Sequence, residues 1–211
     1  MRLRLDRTAG LLWRDDGLGF DAATRSWRAV SGAPGGQPVA AAAAVRWLQR
    51  DSGSPCRVPV GVIGARAARA PQLAAAERLG ELLGGHRLTV ICGGRQGVME
   101  AVCRGAASQG GLSVGLLPEG DPGAANPHVT VPIATGIGIA RNAIIARAAL
   151  APVAVGGGHG TTAEAAFGLQ FGVPVFGLLD APGLEGLRPC ADPETAFEQV
   201  AMVVLGLPLE H

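Results

Sequence analysis

From residue 57 onward, short apolar runs alternate with segments of helical periodicity, and this alternation restricts the possible folds more than any other feature. Runs of this length, rich in Val, Ile and Leu, are typical of buried strands. Strands that alternate with helices form a parallel sheet covered on both faces, because right-handed crossovers are strongly preferred. We therefore predict an α/β fold, a Rossmann-like doubly wound parallel sheet with helices on both faces. The predicted strands are Val58–Gly64, Arg87–Cys92, Leu112–Leu117, Val129–Ile133, Pro152–Val155 and Val173–Leu178, and the predicted helices are Pro71–Leu83, Gly97–Gln109, Ile137–Ala148, Thr161–Phe171 and Pro193–Leu205.

The first 55 residues follow a different pattern. Leu3 to Val30 consists of short alternating runs separated by turns that contain Asp and Gly, which predicts a β-hairpin or meander. Val39 to Arg50 is rich in Ala and predicts a helix. We expect residues 1–55 to form a small N-terminal β/α appendage, residues 56–208 the Rossmann-like domain, and residues 209–211 to be a tag remnant.

Composition and charge argue against several classes of protein. The formal net charge is +1 without a basic block, so we expect neither nucleic-acid binding nor membrane-surface binding. No apolar stretch is long enough to span a membrane, and the first residues lack the apolar segment of a secretory signal, so we expect a cytoplasmic protein. We expect the four cysteines to be free thiols, and no spacing of His, Cys and Asp indicates a metal site.

All 18 residues counted as Lys or Arg are Arg, and the sequence contains no Lys. A catalytic Lys, a pyridoxal-phosphate Schiff base and a P-loop Lys are therefore impossible. A pyridoxal-phosphate-dependent decarboxylase is dismissed for the same reason.

The strongest motif is the glycine-rich turn from Gly156 to Glu164, which follows an apolar strand and leads into a helix. Glycines let the backbone approach a ligand, and a helix N-terminus offers free N–H groups and a partial positive charge, so the turn predicts an anion site. The alternative is a tight turn in which Thr161 and Glu164 form a capping box that needs no ligand. The residues of this turn predicted to bind the ligand are Gly157, Gly158, His159, Gly160, Thr161 and Thr162.

Two other strand exits also carry glycines. Ligands of doubly wound sheets bind at the carboxyl ends of the strands, so a second phosphate or ribose contact is predicted there. Simple turn geometry with Arg95 in solvent is the alternative. The predicted contacts at these exits are Gly64, Gly93, Gly94, Arg95 and Gly97.

Arg141 lies near the predicted start of a helix, where a positive charge is unfavourable. A nearby anion would compensate, either the carboxylate of Glu164 or a phosphate of the ligand. Arg binds phosphate through two hydrogen bonds and its charge does not titrate away. Arg141 is therefore either a ligand contact or one half of a structural ion pair.

At these motifs the sequence resembles the LOG (Lonely Guy) family of Rossmann-like proteins, and most of all a bacterial branch similar to the molybdenum cofactor carrier proteins. The LOG pattern Pro-Gly-Gly-x-Gly-Thr-x-x-Glu matches Gly156 to Glu164, with Gly156 in place of Pro. The pattern Gly-Gly-Gly-x-x-Gly-Leu-Met matches Cys92 to Met99 with two departures. The resemblance covers about Arg57 to Leu205.

The resemblance implies two functions. LOG enzymes hydrolyse the N-glycosidic bond of cytokinin riboside monophosphates, and their catalytic Arg and Glu correspond to Arg141 and Glu164. Asn142 stands where the LOG family has Lys, and an Arg-Asn pair is similar to the carrier branch, which binds a pterin phosphate without cleaving it. We therefore expect a carrier-like protein that binds a phosphorylated nucleotide-like or pterin ligand, with a nucleoside 5′-monophosphate phosphoribohydrolase as the alternative.

Both branches of the family are homo-oligomers, which implies a homodimer or homotetramer here. The helix after Gly97 is rich in Ala and other small residues, and we expect it to form part of the subunit interface. Neither function requires a cofactor, and the bound molecule is expected to be a nucleotide or a molybdopterin-type ligand.

Overall fold

The computed structural model describes residues 2–32 and 35–209, in two compact units. One unit contains Met1–Cys56 together with Glu198–His211, and the other contains Arg57–Phe197. The sequence predicted that the closing helix would belong entirely to the Rossmann-like domain, whereas its residues from Glu198 onward group with the N-terminal segment. The predicted tag remnant lies partly outside the described residues, which end at residue 209.

The N-terminal unit is a five-stranded antiparallel sheet with one helix, and the predicted meander is present as its first four strands. The helix predicted from Val39 begins at Ala41, because Val39 lies in a fifth strand and pairs with Leu3. The first backbone N–H groups of that helix donate to the carboxylate of Glu198. The elements are β1 (Leu3–Asp6), β2 (Leu11–Arg14), β3 (Leu18–Asp21), β4 (Ser26–Ala29), β5 (Gln37–Val39) and α1 (Ala41–Arg50), with the sheet order β4-β3-β2-β1-β5.

The second unit contains a seven-stranded parallel sheet in which strands and helices alternate, and this confirms the predicted fold class. Its central strands are apolar along their whole length because both faces are covered. The elements are β6 (Val60–Gly64), α2 (Ala70–Gly85), β7 (Val90–Cys92), α3 (Val98–Ser108), β8 (Ser113–Leu117), β9 (Val131–Ala134), α4 (Arg141–Ala148), β10 (Pro152–Val155), α5 (His159–Gln170), β11 (Phe176–Leu178) and β12 (Arg188–Pro189). Helix α6 (Pro193–Val204) belongs to this unit as far as Phe197.

Some predicted element boundaries differ from the observed ones, because the sequence did not reveal a left-handed residue and a short 3₁₀ turn. The strand predicted from Arg87 begins at Val90, because Arg87 has a φ of 58° and belongs to the left-handed turn that follows α2. The helix predicted from Ile137 begins at Arg141, after a short 3₁₀ turn. The two-residue strand β12 was not predicted, since Arg188 and Pro189 carry no apolar pattern.

Helices α2 and α3 pack closely because glycines leave room for the backbone of the opposite helix. A Cβ atom at Gly80 would overlap the carbonyl oxygen of Val102, and one at Gly105 would overlap that of Glu77. Gly105 of α3 therefore serves helix packing inside the chain, and the expectation that this helix also forms part of a subunit interface stays a prediction. The spacing of the small residues that face α2 serves packing within one unit.

The strand order β12-β11-β10-β6-β7-β8-β9 reverses direction between β6 and β10, which lie side by side with Gly64 paired to Val155. In open α/β sheets a crevice forms at such a switch point, outside the carboxyl ends of the strands. Within the described part of the chain, no helix has the length and apolar character needed to cross a membrane.

Candidate functional site

A cleft of about 360 Å³ opens at the carboxyl edge of the parallel sheet, at the switch point. The loops after β6, β7 and β8 and the first turns of α4 and α5 supply its walls. A larger hollow of about 550 Å³ in the N-terminal unit is lined mainly by apolar side chains, and its carboxylate, Glu198, already accepts hydrogen bonds from α1. The cleft residues are Gly64, Ala65, Arg66, Arg95, Met99, Pro118, Ile139, Arg141, Asn142, Gly158, Gly160, Thr161 and Glu164.

Arg141 and Glu164 meet in this cleft. Nη1 of Arg141 donates to Oε1 of Glu164 at 2.8 Å, and the two side chains are only 11% and 9% exposed. Nε of Arg141 is buried and has no hydrogen-bond partner among the described residues. Gly93 makes this placement possible, because a Cβ atom there would overlap the guanidinium of Arg141 and lie 2.7 Å from Sδ of Met99.

The capping-box alternative does not describe α5. The helix begins at His159 with Gly158 as its N-cap, so Thr161 lies within the first turn and the carboxylate of Glu164 faces Arg141. No side chain in the described part of the chain caps the helix. Its first N–H groups therefore lack the usual side-chain acceptor at the point where α5 reaches the cleft.

Glycines keep the approach to the start of α5 open. A Cβ atom at Gly158 would meet nothing within 4 Å, and one at Gly160 would only reach the amide nitrogen of Asn142 at 3.9 Å. Neither position is therefore a glycine because of neighbouring protein atoms. Open space on a backbone that lines a cleft is what the close approach of a ligand requires.

The other predicted glycines have structural reasons. Gly94 and Gly97 have φ values of 69° and 74°, and a Cβ atom at Gly97 would overlap the carbonyl oxygen of Arg66. Gly156 has a φ of 60°, which Pro cannot adopt, so the departure from the LOG pattern corresponds to a different backbone conformation at this residue. A Cβ atom at Gly157 would lie 3.2 Å from Cγ and Cδ of Pro182, so there is little room for a side chain at this position.

The structure brings together part of the predicted set. Gly64, Arg95, Arg141, Gly158, Gly160, Thr161 and Glu164 line the cleft. The other predicted residues, Gly93, Gly94, Gly97, Gly157, His159 and Thr162, are not among its lining residues. The prediction missed Ala65, Arg66, Met99, Pro118 and Ile139, and it mentioned Asn142 only as a departure from the family pattern. The Arg-rich loop after Gly64 was the signal that could have found Arg66.

Arg95 is anchored rather than loose. Its guanidinium pairs with the carboxylate of Glu119, and its side chain is 18% exposed. The side-chain amide of Asn126 stabilises the loop after β7, because its Nδ2 donates to the carbonyl oxygens of Gly94 and Arg95 at 3.2 and 3.0 Å. The cleft therefore has a second guanidinium in a fixed position on the wall formed by the β7 exit.

Burial raises the pKa of Glu164 to about 7, although the charge and hydrogen bond of Arg141 act in the opposite direction. The loss of hydration outweighs the attraction because the carboxyl group lies almost completely out of solvent. Near neutral pH Glu164 therefore changes from a neutral carboxyl group beside the guanidinium of Arg141 to a carboxylate that forms an ion pair with it.

This pKa makes a testable prediction for stability. The folded state holds a proton on Glu164 that the unfolded chain has already lost above its ordinary pKa of 4.5. The contribution of Glu164 to the free energy of unfolding should therefore be present below about pH 4.5 and be lost as pH rises through about 7, by about 3 kcal/mol in all. Urea unfolding of the natural chain and of Glu164→Gln, at several pH values, measures this difference. A difference that stays constant from pH 5 to pH 8 would contradict it.

The fold and the cleft define a LOG-like Rossmann protein that resembles molybdenum cofactor carriers. The chain belongs to the SLOG cluster4 family, whose sequence model matches residues 57–200. A protein of Archaeoglobus fulgidus described only as uncharacterized is 41% identical over 137 residues, which cover 65% of this chain and 90% of that protein.

Two solved structures share both fold and sequence with the chain. The molybdenum cofactor binding protein of Rippkaea orientalis is 31% identical with a TM-score of 0.68, over 70% of this chain and 98% of that one. The molybdenum cofactor carrier protein of Chlamydomonas reinhardtii is 33% identical with a TM-score of 0.64, over 70% of this chain and 99% of that one. These matches confirm the resemblance to the carrier branch.

Proposed function

We propose that this chain binds a phosphorylated pterin or nucleotide-like ligand in the switch-point cleft and acts as a carrier, with a molybdopterin-type molecule as the preferred cargo. The observation that carries the proposal is the uncapped start of α5, where Gly158 and Gly160 leave open space at the cleft. A phosphate is the group that such a helix start binds best. The carrier proteins of similar fold and sequence support the choice of cargo.

The side chains around this helix start fit an anion with a flat, partly apolar body. Arg66 and Arg95 supply positive charge on one wall of the cleft. Met99, Pro118 and Ile139 supply apolar contacts. A ligand pocket with mostly apolar walls and a few convergent polar groups is the common arrangement for molecules of this size.

A phosphoribohydrolase is the second candidate, and the contact between Arg141 and Glu164 favours it. Cleavage of an N-glycosidic bond develops positive charge on the ribose, which a nearby carboxylate stabilises while water attacks the anomeric carbon. Only the ionised form of Glu164 can do this. Since its pKa is about 7, the rate of such a reaction would rise as pH increases through neutrality.

If the chain binds its ligand without cleaving it, the affinity should fall as pH rises, which is opposite to the pH dependence expected for the rate of hydrolysis. A phosphate dianion is repelled by ionised Glu164, so affinity should fall by roughly tenfold as pH rises from 7 to 8.5. Glu164→Gln should remove this loss and bind at pH 8.5 at least as tightly as the natural chain. Calorimetric titration with a panel of nucleoside 5′-monophosphates and a pterin phosphate measures these affinities, and chromatography of the same mixtures detects free base and ribose 5-phosphate.

Matched variants separate the two functions. Arg95→Gln should weaken binding by roughly tenfold through loss of a charge-assisted hydrogen bond, whereas Arg46→Gln, at an exposed position on α1, should leave affinity unchanged. Binding without release of base supports the carrier. Release of base by the natural chain that is lost in both Glu164→Gln and Arg141→Ala would replace the carrier with the hydrolase.

A further inference from the structure

Two buried cysteine sulfurs lie in contact beside the loop after β7. Cys92 is the last residue of β7 and Cys103 lies in α3, and their Sγ atoms are 3.6 Å apart. Both residues are completely buried, and both are free thiols. A disulfide holds its sulfur atoms about 2 Å apart, so a combined movement of roughly 1.5 Å would bring this pair to bonding distance.

The two thiols differ in their surroundings. A hydrogen bond from Cys92 lowers the pKa of Cys103, although burial acts in the opposite direction. The side chains of Ser113 and Asn126 lower that pKa further. The hydrogen bond to Cys103, together with burial, raises the pKa of Cys92, so Cys92 keeps its proton. Cys103 is therefore the better source of a thiolate, which is the form of cysteine that reacts with oxidants.

Cys92 is connected to the part of the cleft that holds two guanidinium groups. The backbone N–H of Gly94 donates to Sγ of Cys92 at 3.4 Å, and Arg95 follows directly in the chain. Gly93 leaves the space that the guanidinium of Arg141 occupies. If the sulfur of Cys92 moved towards α3, the N–H of Gly94 would lose its acceptor and the loop after β7 would lose one of its attachments.

We propose that Cys92 and Cys103 are a modification site, at which a peroxide closes a reversible disulfide that loosens the loop after β7. The sulfur of Cys103 attacks one oxygen of hydrogen peroxide, so that an S–O bond forms and the O–O bond breaks. The departing hydroxide takes up a proton and leaves as water. The sulfur of Cys92 then attacks the sulfenic sulfur, and the hydroxyl group leaves with the proton of Cys92 as a second water.

The electrons balance in this reaction and in its reversal. The two thiols lose two electrons when the S–S bond forms, and the peroxide gains them as it becomes two molecules of water. A dithiol reductant restores the thiols by exchange through a mixed disulfide, and it becomes a disulfide itself. The site is therefore reversible without any group that the chain does not carry, apart from the peroxide and the reductant.

Burial makes the reaction dependent on motion of the loop. Because both sulfurs are completely buried, peroxide reaches them only when the loop after β7 opens, and we expect slow oxidation. A ligand in the cleft would hold this loop through Arg95 and slow the reaction further. This protection, and weaker binding by the oxidised chain, rest on the proposed function, whereas the disulfide itself does not.

The test is oxidation of the folded chain by hydrogen peroxide, followed by blocking of free thiols in denaturant, digestion with trypsin and mass spectrometry. Trypsin cuts after arginine, so Cys92 and Cys103 fall in separate peptides, residues 88–95 and 96–104. We expect a disulfide between these two peptides that disappears after treatment with a dithiol. The matched control is Cys190→Ser, which removes a partly exposed thiol and should leave the disulfide unchanged.

Two variants test the order of the steps. In Cys92→Ala a sulfenic acid should accumulate on Cys103 and react with dimedone, because no second thiol is in contact with it. In Cys103→Ala, Cys92 should remain a thiol that the blocking reagent modifies. If either variant does not fold, the disulfide in the natural chain still decides whether the site exists.

Amide hydrogen exchange and calorimetry measure the consequence for the cleft. The N–H of Gly94 should exchange roughly tenfold faster in the oxidised chain, because it has lost its acceptor, whereas exchange at Val153 in β10 should not change. Affinity for the nucleoside 5′-monophosphates and the pterin phosphate should fall by roughly tenfold on oxidation. If the reduced chain binds none of these ligands, the proposed function fails, and mass spectrometry with hydrogen exchange still decides this inference.

Two results would overturn the proposal. One is an oxidised chain in which Cys190 has reacted while Cys92 and Cys103 both remain thiols. The other is a disulfide between Cys92 and Cys103 that leaves the exchange of Gly94 unchanged, since the loop would then not respond to the modification.

Discussion

Replacing Arg141 with Met is expected to lower the free energy of unfolding by about 3 to 5 kcal/mol at pH 8. Met is an apolar side chain of roughly similar length to Arg, but it leaves the carboxylate of Glu164 buried without its partner. An unpaired charge in that position is far less stable than the ion pair, and the folded state avoids it only by keeping the proton. Denaturation by urea measures the loss.

The pH dependence identifies the cause of this loss. Arg141 lowers the pKa of Glu164, so its removal should raise that pKa above 7. The stability of the variant should then continue to fall above pH 7, where the contribution of Glu164 in the natural chain has become constant, by about 1.4 kcal/mol per pH unit. The double variant Arg141→Met with Glu164→Gln is the control, because it lacks the carboxylate and should be more stable than the single variant at pH 8. An equal loss in the single and double variants at every pH would show that charge is not the cause.

The second large effect is expected at Gly80, where α2 touches α3. In Gly80→Ala the new Cβ atom would overlap the carbonyl oxygen of Val102 and lie 2.9 Å from the backbone nitrogen of Ala106. Backbone atoms cannot rotate aside as side chains do, so the two helices must separate. We expect a loss of about 3 kcal/mol, at the upper end of the cost of overpacking. Urea unfolding measures this loss, and the slope of the free energy of unfolding against urea concentration should be the same in the variant and the natural chain.

Gly85→Ala is the matched control in the same helix. Its Cβ atom would meet only the side-chain oxygen of Gln109 at 3.9 Å, so there is no clash. The variant should gain up to about 1 kcal/mol, because Ala is favoured over Gly in a helix. If both substitutions changed stability in the same direction and by the same amount, close helix packing at Gly80 would not be the reason for its glycine.

The central strands could be predicted from sequence because their apolar runs are continuous and end at Gly or Pro. Pro152–Val155 was predicted with the observed bounds, since both faces of that strand are buried. The start of α5 was placed at Thr161 instead of His159, because His-Gly resembles a loop and only the backbone shows that both residues are helical. Local sequence cannot distinguish the first turn of a helix from a glycine-rich turn when no capping side chain is present.

The candidate site, like the fold, could be predicted from sequence only in part. The glycine-rich turn before α5 could be predicted because four glycines follow a buried strand, although the first residue of the helix could not. The contact between Arg141 and Glu164 could be predicted only as one of two alternatives, because a positive charge near a helix start indicates a nearby anion but does not show whether that anion is a carboxylate or a phosphate. Arg66 was missed because it follows β6 without any recognised motif, and only the strand order places its loop beside α5.

The strand order also has a consequence for the growing chain. β6 is the first strand of the parallel sheet to be made, and its neighbour β10 is made only after α2, α3 and α4 and the three strands between them. Contacts between such distant segments form late, because closing a long loop costs entropy before any pairing is gained. The cleft is thus completed near the end of synthesis. A chain stopped before Pro152 would retain four neighbouring strands of the sheet but would lack Gly158, Gly160, Thr161 and Glu164, which form one wall of the cleft.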